Sequence, residues 1–161
     1  MIEQVKQIVR EASEIIKRAG DIAENTMAKE GTANYVTKYD LEVQKFLMKR
    51  LSETFEGCHF IGEEAGCDEN PVARGLTFII DPIDGTTNFI CRFQYSAISV
   101  GVVLDGEIVS GVVYNPYRGE MFWAEKGRGA YLNDTRLQPQ DGPLSSSVVI
   151  FGTAPYRPEL R

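Results

Sequence analysis

Two aspartates, Asp81 and Asp84, stand three positions apart in the stretch DPIDGTTNF at residues 81–89. They follow directly on residues 76–80, an apolar segment (LTFII) typical of a buried strand. Like charges at the end of such a segment repel each other unless a positive charge lies between them. Since hard divalent cations such as Mg²⁺ prefer carboxylate oxygens, the pair indicates a metal site.

The residues around the two acids favour a phosphate group as the second occupant. Pro82 fixes the backbone, and Gly85 permits a sharp turn. Thr86 or Thr87 can then begin a helix, and the first N–H groups of a helix suit a phosphate. The stretch therefore predicts a phosphoryl group held between a cation and backbone amides. The alternative is an ordinary strand, turn and helix with a capping aspartate.

Other carboxylates stand at the ends of predicted elements. Glu63 and Glu64 follow the apolar pair at residues 60–61, and Asp40 lies three positions after Thr37. Taken alone, the first two are typical of a solvated glutamate pair, and Asp40 is typical of a helix cap.

Composition excludes several classes of protein. The 161 residues carry 17 Lys and Arg against 23 Asp and Glu, a net charge of −6. Without a basic stripe or a long apolar run, we expect no nucleic-acid partner and no membrane partner. Cys58, Cys67 and Cys91 form no CxxC pair, so we expect reduced thiols in a cytoplasmic protein. His59, the single histidine, provides neither a zinc site nor a serine triad.

Hydrophobic spacing predicts the elements that must position the acids. A helix is predicted over residues 5–27, and a second helix begins after Thr37, where Asp40 completes a T-x-x-D start. Asp105 and Gly106 predict a hairpin turn, and further turns are predicted at residues 115–116 and 126–129. The predicted strands cover residues 60–61, 76–80, 95–104, 107–114, 121–125 and 148–151. Helices followed by mostly antiparallel strands favour an α+β fold.

With these residues in view, the chain resembles the inositol monophosphatase family of magnesium-dependent, lithium-sensitive phosphatases. The resemblance rests on DPIDGTTNF, preceded by IGEE at residues 61–64 and VTKYD at residues 36–40. It extends to GVVYNP at residues 111–116 and EKGRGAYLN at residues 125–133. The ending TTNF looks most like the inositol phosphatase branch. The implied fold is a sugar-phosphatase-type layered α/β/α arrangement.

The resemblance implies a set of metal ligands. Two or three Mg²⁺ ions would be held by the side chains of Glu63, Asp81 and Asp84 and by the backbone carbonyl of Ile83. Lys29, eleven positions before Asp40, falls where the family has a lysine near the metals.

The resemblance also implies catalytic roles. The Thr86 hydroxyl and Asp40 would orient the water that attacks phosphorus, and no phosphoenzyme would form. The amides of Gly85 and Thr86 would hold the phosphate, and Glu64 would complete the catalytic group as a neighbour of the metal ligands.

The chain departs from the family pattern in its second half. No WD-x-A-A-G signature follows, and the single tryptophan, Trp123, lies in the predicted strand MFWAE. Residues 1–161 are therefore predicted to form one incomplete domain, the N-terminal portion of the family's fold. Three explanations are compatible with an incomplete domain: a fragment, a short form completed by another chain, or a protein that has lost catalysis. The unpaired predicted strand at residues 148–151 favours a fragment. Gln94 replaces a proline typical of the family, which predicts a local change in one loop.

The predicted function is magnesium-dependent hydrolysis of inositol 1-phosphate, a small-molecule phosphate monoester. Alternatives are hydrolysis of fructose 1,6-bisphosphate or of a nucleotide bisphosphate, and a non-catalytic module that binds metal or a partner protein. We expect weak or absent turnover from these 161 residues alone, and self-association through an uncovered core. The full-length parent is expected to be a homodimer.

Overall fold

The computed structural model describes residues 1–29, 35–64, 74–139 and 141–149. Helices come first and strands dominate after residue 58, which confirms the α+β prediction. The elements are α1 (Ile2–Lys17), β1 (Thr26–Ala28), β2 (Tyr35–Thr37), α2 (Lys38–Thr54), β3 (His59–Gly62), β4 (Leu76–Asp84), α3 (Thr86–Ile90), β5 (Ala97–Leu104), β6 (Glu107–Asn115), β7 (Glu120–Glu125), β8 (Gly129–Leu132) and β9 (Thr135–Arg136), with 3₁₀ turns at Ala23–Asn25 and Leu144–Ser146.

Strands β3 to β9 form one seven-stranded sheet in chain order, while β1 and β2 pair as a separate antiparallel ribbon. Every neighbouring pair in the large sheet is antiparallel except β3 and β4, which run parallel with Gly62 opposite Ile80. Parallel strands point their carboxyl ends to the same edge of a sheet. The residues that follow β3 therefore lie beside the second half of β4.

The core lies between the sheet and the two long helices. Helix α1 turns its apolar stripe inward at every third or fourth position, as the sequence pattern predicts. Phe78 of β4 is fully buried, and its ring lies 5.4 Å from that of Phe55 and 6.0 Å from that of Phe60. Buried side chains from α1, α2 and the sheet form one cluster, which includes Val5, Val9, Val43, Leu47, Leu51, Ile80, Ile98, Val100 and Met121.

The opposite face of the sheet exposes apolar side chains. Ile79, Val113 and Phe122 are each 40% exposed, and Gly101 lies opposite Gly111 on the two central strands. All of these residues except Ile79 line an apolar depression of about 310 Å³ over β5, β6, β7 and β8. The self-association expected from such a face stays a prediction. No helix in the described part of the chain has the length and apolar character needed to cross a bilayer.

The predicted helix over residues 5–27 is too long, because α1 ends at Lys17. Gly20 follows, and Asp21 adopts a left-handed backbone with φ of +46°. Neither residue favours the continuation of a helix. Ile22 is buried without belonging to α1, which explains why it continued the apolar spacing.

Several strand and turn predictions also need correction, among them the strand predicted over residues 95–104, which begins at Ala97. Strand β4 continues to Asp84 instead of ending at Ile80, and β8 begins within the predicted turn at residues 126–129. Val148 and Val149 are exposed and form no strand, while residues 150–151 of that prediction lie outside the described residues. Cys58 and Cys91 are free thiols, and Cys67 also lies outside that part of the chain.

Truncation of Phe78 tests this account of the core. Phe78→Ala is expected to lower the free energy of unfolding by about 3–5 kcal/mol, because a fully buried ring is lost and a cavity remains. Urea denaturation followed by circular dichroism gives the value. Phe93→Ala is the matched control, since Phe93 is 69% exposed, and it should cost less than about 1 kcal/mol. Equal losses in the two variants would contradict the assigned core.

Candidate functional site: an acidic edge of the sheet

The site lies at the edge where β3 ends beside β4. The Glu63 N–H donates to the Ile80 carbonyl over 3.2 Å and extends the parallel ladder by one residue. Glu63 is thereby placed next to the backbone of Asp81. The predicted acids from two separate segments, Glu63 and the aspartates of β4, therefore come together.

An irregularity in β4 places its two aspartates on one face. Asp81 lies opposite Ser99 and Asp84 lies opposite Ala97, so three steps along β4 match two steps along β5. Residues three apart in a regular strand point to opposite faces, and one extra residue restores the same side. Pro82 lies within the irregularity, where its missing N–H breaks no regular ladder.

The electrostatics of Asp81 show the repulsion that the sequence pattern predicts. The pKa of Asp81 is raised to about 7, first by burial and then by the charges of Glu63 and Asp84. A hydrogen bond between the Glu63 and Asp81 side chains contributes as well, and two carboxyl groups can form one only with a shared proton. Asp81 Oδ1 is buried and has no hydrogen-bond partner among the described residues.

These observations fit a divalent cation. An orphaned buried carboxylate oxygen beside two further acids is an arrangement that a hard cation stabilises. Within residues 1–29, 35–64, 74–139 and 141–149, however, no three His, Cys, Asp or Glu side chains already form a compact ligand group. The roles of Glu63, Asp81, Asp84 and the Ile83 carbonyl as metal ligands stay predictions.

Lys29 lies among the acids, immediately after β1. Its Nζ donates to Glu64 Oε1 over 2.7 Å and to Glu63 Oε1 over 3.3 Å. Burial lowers the pKa of Lys29, but the hydrogen bond to Glu64 and the charge of Glu63 outweigh it and raise the pKa overall. The lysine is thus held as a charged group beside the predicted metal ligands.

Gln44 of α2 fixes Glu64 from the other side. Its side-chain amide donates to the Glu64 carbonyl and accepts from the Glu64 N–H, each over 3.1 Å. Burial raises the pKa of Glu64, and Lys29 opposes that shift. Sequence reasoning missed Gln44, since a single glutamine on a predicted helix carries no signal of a partner twenty residues away.

Asp40 has two functions that the sequence suggested separately. Its Oδ2 accepts from the Thr37 N–H over 2.8 Å and from the Thr37 hydroxyl over 2.5 Å, which completes a capping box at the start of α2. Its Oδ1 lies 3.4 Å from the hydroxyl of Thr86. Asp40 is only 1% exposed, and burial raises its pKa against the opposing hydrogen bonds from Thr37.

Gly85 positions Thr86 as the first residue of α3. Its φ of +83° is a left-handed value, and a Cβ there would lie 3.2 Å from the Tyr95 carbonyl oxygen. The residue must therefore be glycine if the loop before β5 is to stay this close. The Thr86 hydroxyl also lies 3.1 Å from the Ile83 carbonyl, an alternative acceptor to Asp40. Phosphate binding by the Gly85 and Thr86 amides stays a prediction.

Neutralising Asp81 tests the electrostatic account. In metal-free protein at pH 8, Asp81→Asn should raise the melting temperature by about 2–4 °C and remove stabilisation by added Mg²⁺. The pKa of Asp81 in the folded state, about 7, exceeds the ordinary value of 3.8. The ionised carboxylate therefore lowers the stability of the folded protein by its full amount above pH 7, and this loss of stability disappears towards pH 4. Differential scanning fluorimetry measures both effects. The exposed Asp134→Asn serves as the control, and a fall in the melting temperature of Asp81→Asn would contradict the account.

Comparison with known proteins shows what the whole chain is similar to. The sequence model of the inositol monophosphatase family matches residues 1–159 of this chain. Human inositol monophosphatase 1 is 37% identical over 146 residues, which are 89% of this chain and 53% of the human protein. Inositol-1-monophosphatase of Bacillus subtilis is 38% identical over 159 residues, 99% of this chain and 60% of the relative.

Solved structures show the same fold. The extragenic suppressor protein suhB of Bartonella henselae matches with a TM-score of 0.76 and 33% identity over 84% of this chain and 52% of that one. Inositol monophosphatase II of Staphylococcus aureus matches with a TM-score of 0.76 and 27% identity over 88% and 52% of the two chains. The chain spans about half the length of the proteins it matches. On both its sequence and its fold, this chain belongs to the inositol monophosphatase family.

Proposed function

We propose that the acidic edge binds Mg²⁺ and hydrolyses a phosphate monoester with water as the nucleophile. The observation that carries the proposal is the Thr86 hydroxyl, 3.4 Å from the buried Asp40 carboxylate and next to the acids of β4. A hydroxyl that donates to a carboxylate keeps its own lone pairs for a water molecule. Thr86 and Asp40 can thus orient a water and accept its proton.

The hydrogen bonds of Thr86 define how this pair would act. The hydroxyl has one hydrogen, and the Ile83 carbonyl at 3.1 Å competes with Asp40 for it. A ligand that occupies the Ile83 carbonyl would leave Asp40 as the acceptor. Asp40 is itself fixed by Thr37, so its Oδ1 has little freedom to move away from Thr86.

The cation would be held by Glu63, Asp81, Asp84 and the Ile83 carbonyl. When bound, it would neutralise charge on the phosphoryl oxygens and acidify the attacking water. Without it, the acids repel a phosphate group, so we expect substrate binding to depend on metal. Gly85 and Thr86 lie at the start of α3, where amide hydrogens lack helical acceptors and can bind the phosphate.

Inositol monophosphate is the substrate that the comparisons support best. The relatives are named for it, and a solved structure of SaIMPase-II, 27% identical with a TM-score of 0.74, has inositol monophosphate bound. Another structure of SaIMPase-II has 2′-AMP bound, which favours a nucleotide phosphate as the second candidate. Because the chain spans about half the length of its relatives, we propose slow turnover by these 161 residues alone. We further propose a cytoplasmic protein that forms a homodimer in its full-length form.

Paired threonine variants test the proposal. Magnesium binding is measured by calorimetry, and phosphate release from inositol 1-phosphate, 2′-AMP and fructose 1,6-bisphosphate is measured over long incubations. Thr86→Val should keep the metal affinity and lose turnover by about 100-fold or more, because the water loses its orienting hydroxyl. Thr87→Val is the matched control, since Thr87 is the exposed neighbour in α3, and it should keep both.

Asp84→Asn tests the predicted metal ligands. It should lose the metal affinity and turnover together, because it removes a predicted ligand. A folded wild-type sample without affinity for Mg²⁺ or Mn²⁺ would contradict the proposal, as would equal turnover in the two threonine variants. Fast turnover by the 161-residue chain would contradict only the proposed slow rate.

A further inference from the structure

Lys29 contacts two acids of the site with unequal strength. Its bond to Glu64 is 2.7 Å long, and the two side chains are only 24% and 6% exposed. Its bond to Glu63 is 3.3 Å long, and the Glu63 side chain is 47% exposed. Short, buried, charge-assisted bonds are stronger than long, exposed ones. The Lys29–Glu63 contact is therefore the one that can break.

Glu64, the acid that Lys29 binds more strongly, is held in place by a further residue of the site. Gln44 holds the backbone of Glu64 with two hydrogen bonds, so Glu64 keeps its position whatever happens to Glu63. Glu63, by contrast, lies beside Asp81, whose Oδ1 has no hydrogen-bond partner in the described part of the chain. A cation that reaches Asp81 would also attract the Glu63 carboxylate.

We propose that Lys29 is an internal counter-cation, which holds Glu63 in the metal-free protein and releases it to a divalent cation. The inference rests on the proposed metal binding and adds to it a competition between the lysine and the metal. Lys29 would stay on Glu64 after the exchange, with one ammonium hydrogen freed for a phosphoryl oxygen. In this view Lys29 is a positioning residue that limits the affinity for the metal and keeps the empty site stable.

Removing the charge should therefore have two opposite effects. In Lys29→Met the acids lose their counter-cation, so the metal-free protein should melt at a lower temperature. The same variant should bind Mg²⁺ and Mn²⁺ about three- to tenfold more tightly, because no positive charge competes. Lys29→Arg keeps the charge, and its affinity should stay within about twofold of the wild type. Isothermal calorimetry gives the affinities, and fluorimetry gives the melting temperatures.

Lys126→Met controls for the change in net charge. Lys126 is a surface lysine paired with Glu107, and its loss should leave the metal affinity unchanged. If Lys29→Met binds the metal no more tightly than Lys126→Met does, the counter-cation role is overturned. In that case, binding of the metal by the wild type still supports the proposed function. No metal binding by the folded wild type would overturn both.

A second measurement tests the proposal without Lys29→Met, in case that variant does not fold. Reductive ¹³C-methylation of the wild type places an NMR probe on each lysine nitrogen, and Lys29→Arg identifies the signal of Lys29. Saturation with Mg²⁺ should shift that signal more than the signal of Lys126. A Lys29 signal that does not move would overturn the exchange.

Discussion

Negative charge is concentrated where β3 ends and the last residues of β4 run beside it, and the site depends on how that charge is compensated. The parallel pairing of β3 and β4 brings Glu63 next to Asp81, and the extra residue in β4 adds Asp84 on the same face. Such an arrangement lowers the stability of the empty protein, as the raised pKa of Asp81 shows. Functional sites often keep such unfavourable groups because binding requires them.

Asp40 connects the stability of the fold to the geometry of the site. One carboxylate oxygen caps α2 through Thr37, and the other faces Thr86 at the start of α3. The cap fixes the orientation of the whole carboxylate, so the oxygen that faces Thr86 does not have to be ordered when a ligand binds. Tyr39, the next residue towards the N-terminus, packs edge-on against Phe89 at 5.8 Å and so holds α3 against α2.

The sequence predicted the local elements of the site better than the way they assemble. The acids of β4, the capping box at Thr37 and the apolar stripe of α1 are local patterns, and each lies where it was expected. The parallel pairing of β3 with β4 and the clamp of Gln44 on Glu64 join segments about twenty residues apart in the chain. No local spacing encodes such contacts, because they depend on which strands and helices become neighbours in the folded state.

The end of α1 shows why a wrong boundary matters for the site. Had α1 continued to residue 27, its last ten residues would extend about 15 Å further along the helix axis. Instead the helix has ended before Gly20, which is held by the Tyr39 side chain. The Gly20 N–H donates to the Tyr39 hydroxyl over 3.1 Å, and the Gly20 carbonyl accepts from the same hydroxyl. The break lets β1 pair with β2, directly before α2, and Lys29 follows β1 to reach Glu64. Apolar spacing alone favours the longer helix, whereas the position of the lysine among the acids requires the shorter one.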